Sequence, residues 1–211
     1  MRNRWLGFIV AGLALALSLW AWSRLPATVP THWNVRGQVD GYASRWVAAL
    51  GLPAGLLALR LVFTALPRVD PLRRNYAEFF DTYWLIANAI LLFMLAFHVV
   101  VILNGIGYPI NLTRLVPIGL GLLFVVFGNV LTRVGPNWFM GIRTPWTLSN
   151  ETVWRKTHRL GGWIMVAAGI LMMLATLLPV TATIPVLVVA LIVGTVVPVV
   201  YSYLLWRKES P

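Results

Sequence analysis

The side chains able to do chemistry are few, and they gather in two stretches of the chain. The first holds His32 and Asp40, with Trp33, Asn34 and Tyr42 around them. The second holds Asn129, Asn137, Arg143, Thr144, Trp146, Glu151, Trp154, His158 and Arg159. His32 and Asp40 have acid–base and metal-ligand character, and His98 is the one further group that could approach them. Turn residues separate His32 from Asp40 in no standard ligand spacing, so a histidine hydrogen-bonding backbone in an ordered loop is the simpler reading. No metal and no cofactor is expected.

Arg143-Thr-Pro-Trp146 sets a planar multi-donor fork beside a flat apolar face. With Asn137 it could bind a carboxylate, a phosphate headgroup or a partner segment. The competing reading has Arg143 satisfying carbonyls at helix ends while Trp138 and Trp146 anchor the loop at a bilayer surface. His158 and Glu151 stand seven residues apart with no nucleophile beside them, and Ser149 suits a helix cap better than a nucleophile. Neither G-x-S-x-G, H-E-x-x-H nor a phosphate loop is present. The chain therefore reads as a non-enzyme.

The elements that must hold these groups are membrane helices. Of 211 residues, 59% are hydrophobic and 11% charged, with a mean hydropathy of +0.80; no soluble globular domain is built this way. Six apolar stretches, Leu6–Trp22, Trp46–Leu66, Tyr83–Leu103, Leu115–Leu131, Leu160–Leu178 and Ile184–Trp206, come close to the length that spans hydrocarbon. They predict an all-α integral membrane protein, a bundle of about six transmembrane helices in the plasma membrane. The first stretch reads as an uncleaved helix rather than a secretory signal. Trp5, Trp20, Trp22, Trp46, Trp84, Trp163 and Trp206 fall at the predicted span ends.

With the N-terminus cytoplasmic, twelve cations lie on the inner side: Arg2, Arg4, Arg68, Arg73, Arg74, Arg133, Arg143, Arg155, Lys156, Arg159, Arg207 and Lys208. Four lie outside (Arg24, Arg36, Arg45 and Arg114), and Arg60 lies within a span, free to snorkel. That bias places both termini in the cytoplasm. The net charge of +11 then reflects anionic lipid rather than nucleic acid, so the bilayer is the first partner and no direct nucleic-acid contact is expected. With no cysteine there is no disulfide and no thiolate chemistry.

Two segments result: residues 1–66, two helices around an outer loop at 24–45, and residues 67–211, four helices around an inner loop at 132–159. In the outer loop the prolines favour extended backbone, while Gly37 and Asp40-Gly41 signal tight turns. Between residues 67 and 82, charges of both signs predict a solvated helical lead into the third span. The inner loop runs for 28 residues, Thr132–Arg159. Ser149 is predicted to cap a short surface helix that turns inward at Gly161-Gly162, with Glu151 and Arg155 paired. Trp154, Thr157, His158 and Gly161 share one face of it, and Arg155, Lys156 and Arg159 form a basic side. Asn88 and Asn129 are placed to hold this loop, and Pro53 and Pro198 to break their helices.

At these loops the chain becomes recognisable. The run from Leu25-Pro through Pro30, His32-Trp-Asn34, Gly37, Asp40-Gly-Tyr42 and Ser44 resembles the amino-terminal motif of a bacterial membrane domain of unassigned function. Gly128-Asn129, Pro136-Asn137, Phe139, Gly141-Ile-Arg-Thr-Pro-Trp-Thr-Leu-Ser149 and Trp154, Thr157-His-Arg159, Gly161 resemble the signature of the SdpI family. The resemblance covers Leu25 to about Gly162. It implies a multi-spanning membrane protein giving immunity to a secreted peptide toxin outside and drawing a cytoplasmic transcriptional repressor to the membrane. On that implication the outer-loop candidates are His32, Trp33, Asn34, Asp40 and Tyr42, and the inner-loop candidates are Asn129, Asn137, Arg143, Thr144, Trp146, Trp154, His158 and Arg159. A small-solute or lipid transporter is the alternative, and a membrane-embedded hydrolase the next.

Overall fold

The computed structural model describes residues 5–209; Arg2 and Arg4, counted above among the inner cations, lie outside them. The elements are α1 (Leu6–Ala21), β1 (Thr28–Trp33), β2 (Val39–Ser44), α2 (Arg45–Val69), α3 (Tyr76–Gly105), α4 (Leu112–Val130), α5 (Pro145–Ser149), α6 (Glu151–Ala175) and α7 (Val180–Glu209). Single 3-10 turns sit at Arg73–Asn75 and Leu131–Arg133. The chain is helical as predicted, and α2, α3, α4, α6 and α7 are long and apolar enough to cross a membrane.

Three local features depart from the sequence reading. The sixteen residues of α1 rise only about 24 Å, short of a hydrocarbon core, so among the described residues five helices rather than six reach spanning length. The chain leaves α1 by a turn that leads directly into the hairpin. Next, α3 and α6 outrun their apolar stretches, so Trp84 and Trp163 fall inside helices rather than at their ends. Once a helix is nucleated, each polar residue added still gains a backbone hydrogen bond. Finally, Pro53 and Pro198 lie in unbroken helices, and the irregular backbone within α3 is at Phe79 (φ −130°, ψ 24°).

Two compact units divide the chain. The first comprises the described residues up to Thr64 together with Ala87–Val116. Its core joins Ala21, Leu25, Val29, Ala48, Ala49, Val101 and Ile102. Leu25 and Val29 reach that core because Gly105 has no Cβ, which would stand 2.7 Å from Leu25 and 2.8 Å from Val29. Arg60 does not snorkel. It is 3% exposed, donates to Thr64 and lies 4.5 Å from the Phe8 ring, in space that the absent side chain of Gly7 leaves open.

The second unit comprises Ala65–Ile86 and the described residues from Pro117. Here α4 and α6 meet backbone to backbone. A Cβ on Gly128 would stand 2.5 Å from the Gly162 carbonyl, and Gly121 meets Gly169 equally closely. The glycines recur seven residues apart on both helices, which keeps one small-residue seam in contact. In lipid, where apolar side chains gain little by leaving the bilayer for one another, such close approach supplies the association.

Candidate functional site

Residues 24–45 form an antiparallel hairpin, pairing Pro30 with Tyr42, His32 with Gly41 and Trp33 with Val39, with irregularities on both sides of His32. Asn34 makes its turn. Its side-chain oxygen accepts from Arg36 N at 2.9 Å and Gln38 N at 3.1 Å, while Gly37 takes a φ of +76°. Asp40-Gly41 is not a turn but part of β2, because Asn34 and Gly37 already reverse the chain. Trp33 packs edge-on against Phe97 with ring centres 6.4 Å apart. Asn34 and Trp33 thus shape and anchor the hairpin.

His32, Asp40 and Tyr42 face outward. His32 Nδ1 meets Asp40 Oδ1 at 2.5 Å, and both side chains are exposed. His98 does not join them, being fully buried in the first unit. The Ser18 hydroxyl donates to the Ala49 carbonyl at 2.6 Å, and His98 Nε2 lies 2.8 Å from Ser18 Oγ. Among the described residues no three potential metal ligands converge. The hairpin therefore offers a surface pair of acid–base character beside exposed Val35 and Tyr42.

The 132–159 loop is built the opposite way, around Asn137, which is 0% exposed. Its amide donates to the Gly135 and Met140 carbonyls, both at 2.9 Å, and its oxygen accepts from Phe139 N at 2.9 Å and Met140 N at 2.6 Å. One side chain thereby replaces the hydrogen bonds that irregular backbone lacks. Asn75 fastens the loop by donating to the Pro136 carbonyl at 2.7 Å.

Asp70 holds the same segment from the end of α2. Although it was read as solvated, it is 2% exposed and accepts from Trp138 N at 2.9 Å, Tyr76 Oη at 2.8 Å and Leu72 N at 2.7 Å. No cation forms an ion pair with it among the described residues; three hydrogen-bond donors carry the buried charge. The sequence reading counts Asp70 only among the solvated charges of residues 67–82 and gives Asn75 and Tyr76 no role. Asp70-Pro71 after a helix is a turn signal, but nothing in the sequence places it beside Trp138.

His158 organises the next turn. Ile142 N donates to its Nε2 at 3.0 Å, which leaves Nδ1 to carry the ring proton and donate to the Trp154 carbonyl at 2.8 Å. The imidazole stacks on Trp154 with centres 4.0 Å apart, and Trp154 Nε1 donates to the Val134 carbonyl at 2.8 Å. Gly141, at φ +107°, is the residue against which the imidazole lies; any Cβ there would collide with Nε2. Glu151 pairs with Arg155 at 2.8 Å, as its spacing predicts, and not with His158.

Thr144 caps α5 through a reciprocal arrangement with Thr147, accepting from Thr147 N at 3.1 Å and returning its own N–H to Thr147 Oγ1 at 2.8 Å. Trp146 donates to Ser202 on α7 and packs on Tyr203. The cap of α6 is Asn150 rather than Ser149, which closes the unforeseen α5. The α6 helix then runs without a turn at Gly161-Gly162, because those glycines serve close packing rather than a bend. Trp154, Thr157, His158 and Gly161 are buried and Arg155, Lys156 and Arg159 exposed, the two faces that the sequence predicts. Asn129 donates to Val125 of its own helix, not to the loop. What the loop turns outward is Trp138, Phe139 and Arg143, whose guanidinium donates to the Trp138 carbonyl at 2.6 Å.

Residues 133–202 match the model of the SdpI/YfhL protein family, and residues 9–57 match a domain of unknown function, DUF1648. The chain is 24% identical over 208 residues to a protein named immunity protein SdpI from Bacillus subtilis (strain 168), covering 99% of this chain and 98% of that one. No solved structure matches the chain. The resemblance drawn from the two motif-bearing loops holds, and the chain is a multi-pass protein of the plasma membrane.

Proposed function

We propose that the protein is a membrane immunity protein, protecting the cell that carries it from a membrane-active peptide toxin. In this reading both termini face the cytoplasm and the hairpin faces outward, where His32, Asp40 and Tyr42 engage or exclude the peptide. The 132–159 loop faces inward and docks a cytoplasmic partner through Trp138, Phe139 and Arg143; a transcriptional repressor is the partner that the family resemblance implies. The observation that carries the proposal is the end-to-end likeness to a protein named for immunity. The contrast between a hairpin with available side chains and a loop with a rigid interior supports the division of labour. No catalytic step is part of it.

The test is survival of cells with and without the chain under challenge by membrane-active peptides. Protection is expected, and Arg143→Ala is expected to abolish recruitment of a cytoplasmic partner while leaving membrane insertion intact. Because the chain has no cysteine, single Val35→Cys and Ser149→Cys variants report topology directly. The first is expected to react with an impermeant thiol reagent from outside and the second only after lysis. No protection against any peptide would overturn the immunity reading and bring transport of a small solute or lipid forward.

A further inference from the structure

A cavity of about 400 Å³ opens between α4 and α6, where the two ends of the 132–159 loop meet. The touching backbones of Gly128 and Gly162 and the side chain of Val166 form its apolar part, while Asn129, Thr132, Arg159 and Trp163 form its rim. The three cations on the basic side of α6 differ. Arg155 is paired with Glu151 and Lys156 with Glu209, both at 2.8 Å. No hydrogen bond or ion pair occupies the Arg159 guanidinium among the described residues. One cation is therefore left unneutralised, and it is the one on the cavity.

The chemistry changes along α6 in steps of three or four residues, from Arg159 to Trp163 (72% exposed) to Val166, and then to exposed Ile170 and Leu174. A cationic fork, an interfacial aromatic ring and an apolar helix face, in that order, match an amphiphile with an anionic head and a hydrocarbon tail. We propose that this cavity binds the phosphate of an anionic lipid headgroup. Arg159 binds two phosphate oxygens as a bidentate donor, and Thr132 Oγ1 and the Asn129 amide donate to the others. The glycerol backbone passes Trp163 and an acyl chain follows the lipid-facing side of α6. The glycine seam fixes the recess's depth, since a Cβ at Gly128 or Gly162 would collide with the other helix's backbone and force the two helices apart. The proposal rests on membrane location and not on the immunity reading.

Full-length protein in detergent, titrated with phosphatidylglycerol, phosphatidylcholine and glycerol 3-phosphate and read by native mass spectrometry, tests it. Saturable phosphatidylglycerol binding is expected, with phosphatidylcholine weaker by about tenfold or more and no saturable glycerol 3-phosphate binding. Arg159→Gln is expected to cost about tenfold, Arg159→Lys less, and Arg155→Gln, which removes the same charge outside the cavity, nothing. Asn129→Leu, an exposed change, gives a second reading independent of charge, with weakened binding expected. Equal losses for Arg155→Gln and Arg159→Gln would overturn the proposal in favour of diffuse surface charge. Glycerol 3-phosphate binding as tightly as the lipid would overturn it in favour of a soluble anion.

Discussion

The hairpin at 24–45 and the loop at 132–159 have similar polar composition and opposite construction. In the hairpin, apolar Leu25 and Val29 do the anchoring, and His32, Asp40 and Tyr42 are left at the surface. In the loop, the polar side chains do the anchoring: Asn137, Thr144, Thr147 and His158 are buried and bonded to backbone. A hairpin satisfies its main chain across two strands, whereas an irregular segment must borrow side chains to do so. A histidine is thus available in one region, His32, and consumed in the other, His158.

Substitutions break this contrast in graded ways. Asn137→Ala leaves four part-buried backbone groups without their partner, and a loss of about 3–4 kcal/mol is expected in denaturant titration of the purified protein. Asp70→Ala orphans Trp138 N, Leu72 N and the Tyr76 hydroxyl together, with about 3 kcal/mol expected by the same titration. His158→Ala removes the acceptor of Ile142 N and the ring stacked on Trp154, for which about 2–3 kcal/mol is expected; a lowered thermal midpoint would show it.

How much of this was legible beforehand follows the same division. Helix positions were readable because apolar runs report them directly, and the two faces of Glu151–Arg159 because a 3.6-residue period does. The end of α1 was not, since a length threshold cannot see where the chain must turn into a hairpin. Asn137 and His158 stood out by their setting in the motif, but their roles did not. Asp70 did not stand out at all: a carboxylate among arginines reads as solvated, and its partners Trp138 and Tyr76 are set by the fold rather than by spacing. Asn150 displaced Ser149 as the cap because α5 occupies the residues before it, an element too short for periodicity to reveal.

At the small end of the scale lies the hairpin pair. Asp40→Ala is expected to change stability by less than about 1 kcal/mol, because an exposed pair gains little over its hydration. Equilibrium unfolding of that variant beside Asn137→Ala sharpens the contrast; similar losses in the two would erase it.

The most direct test of the division between regions is survival under peptide challenge divided by membrane abundance, measured for His32→Ala with Tyr42→Ala and for Asn137→Ala. The hairpin variant is expected to lose protection at unchanged abundance, while in the loop variant protection and abundance fall together. A hairpin variant that protects fully, or that loses protection only as it disappears from the membrane, would contradict the assignment of the working surface to the hairpin.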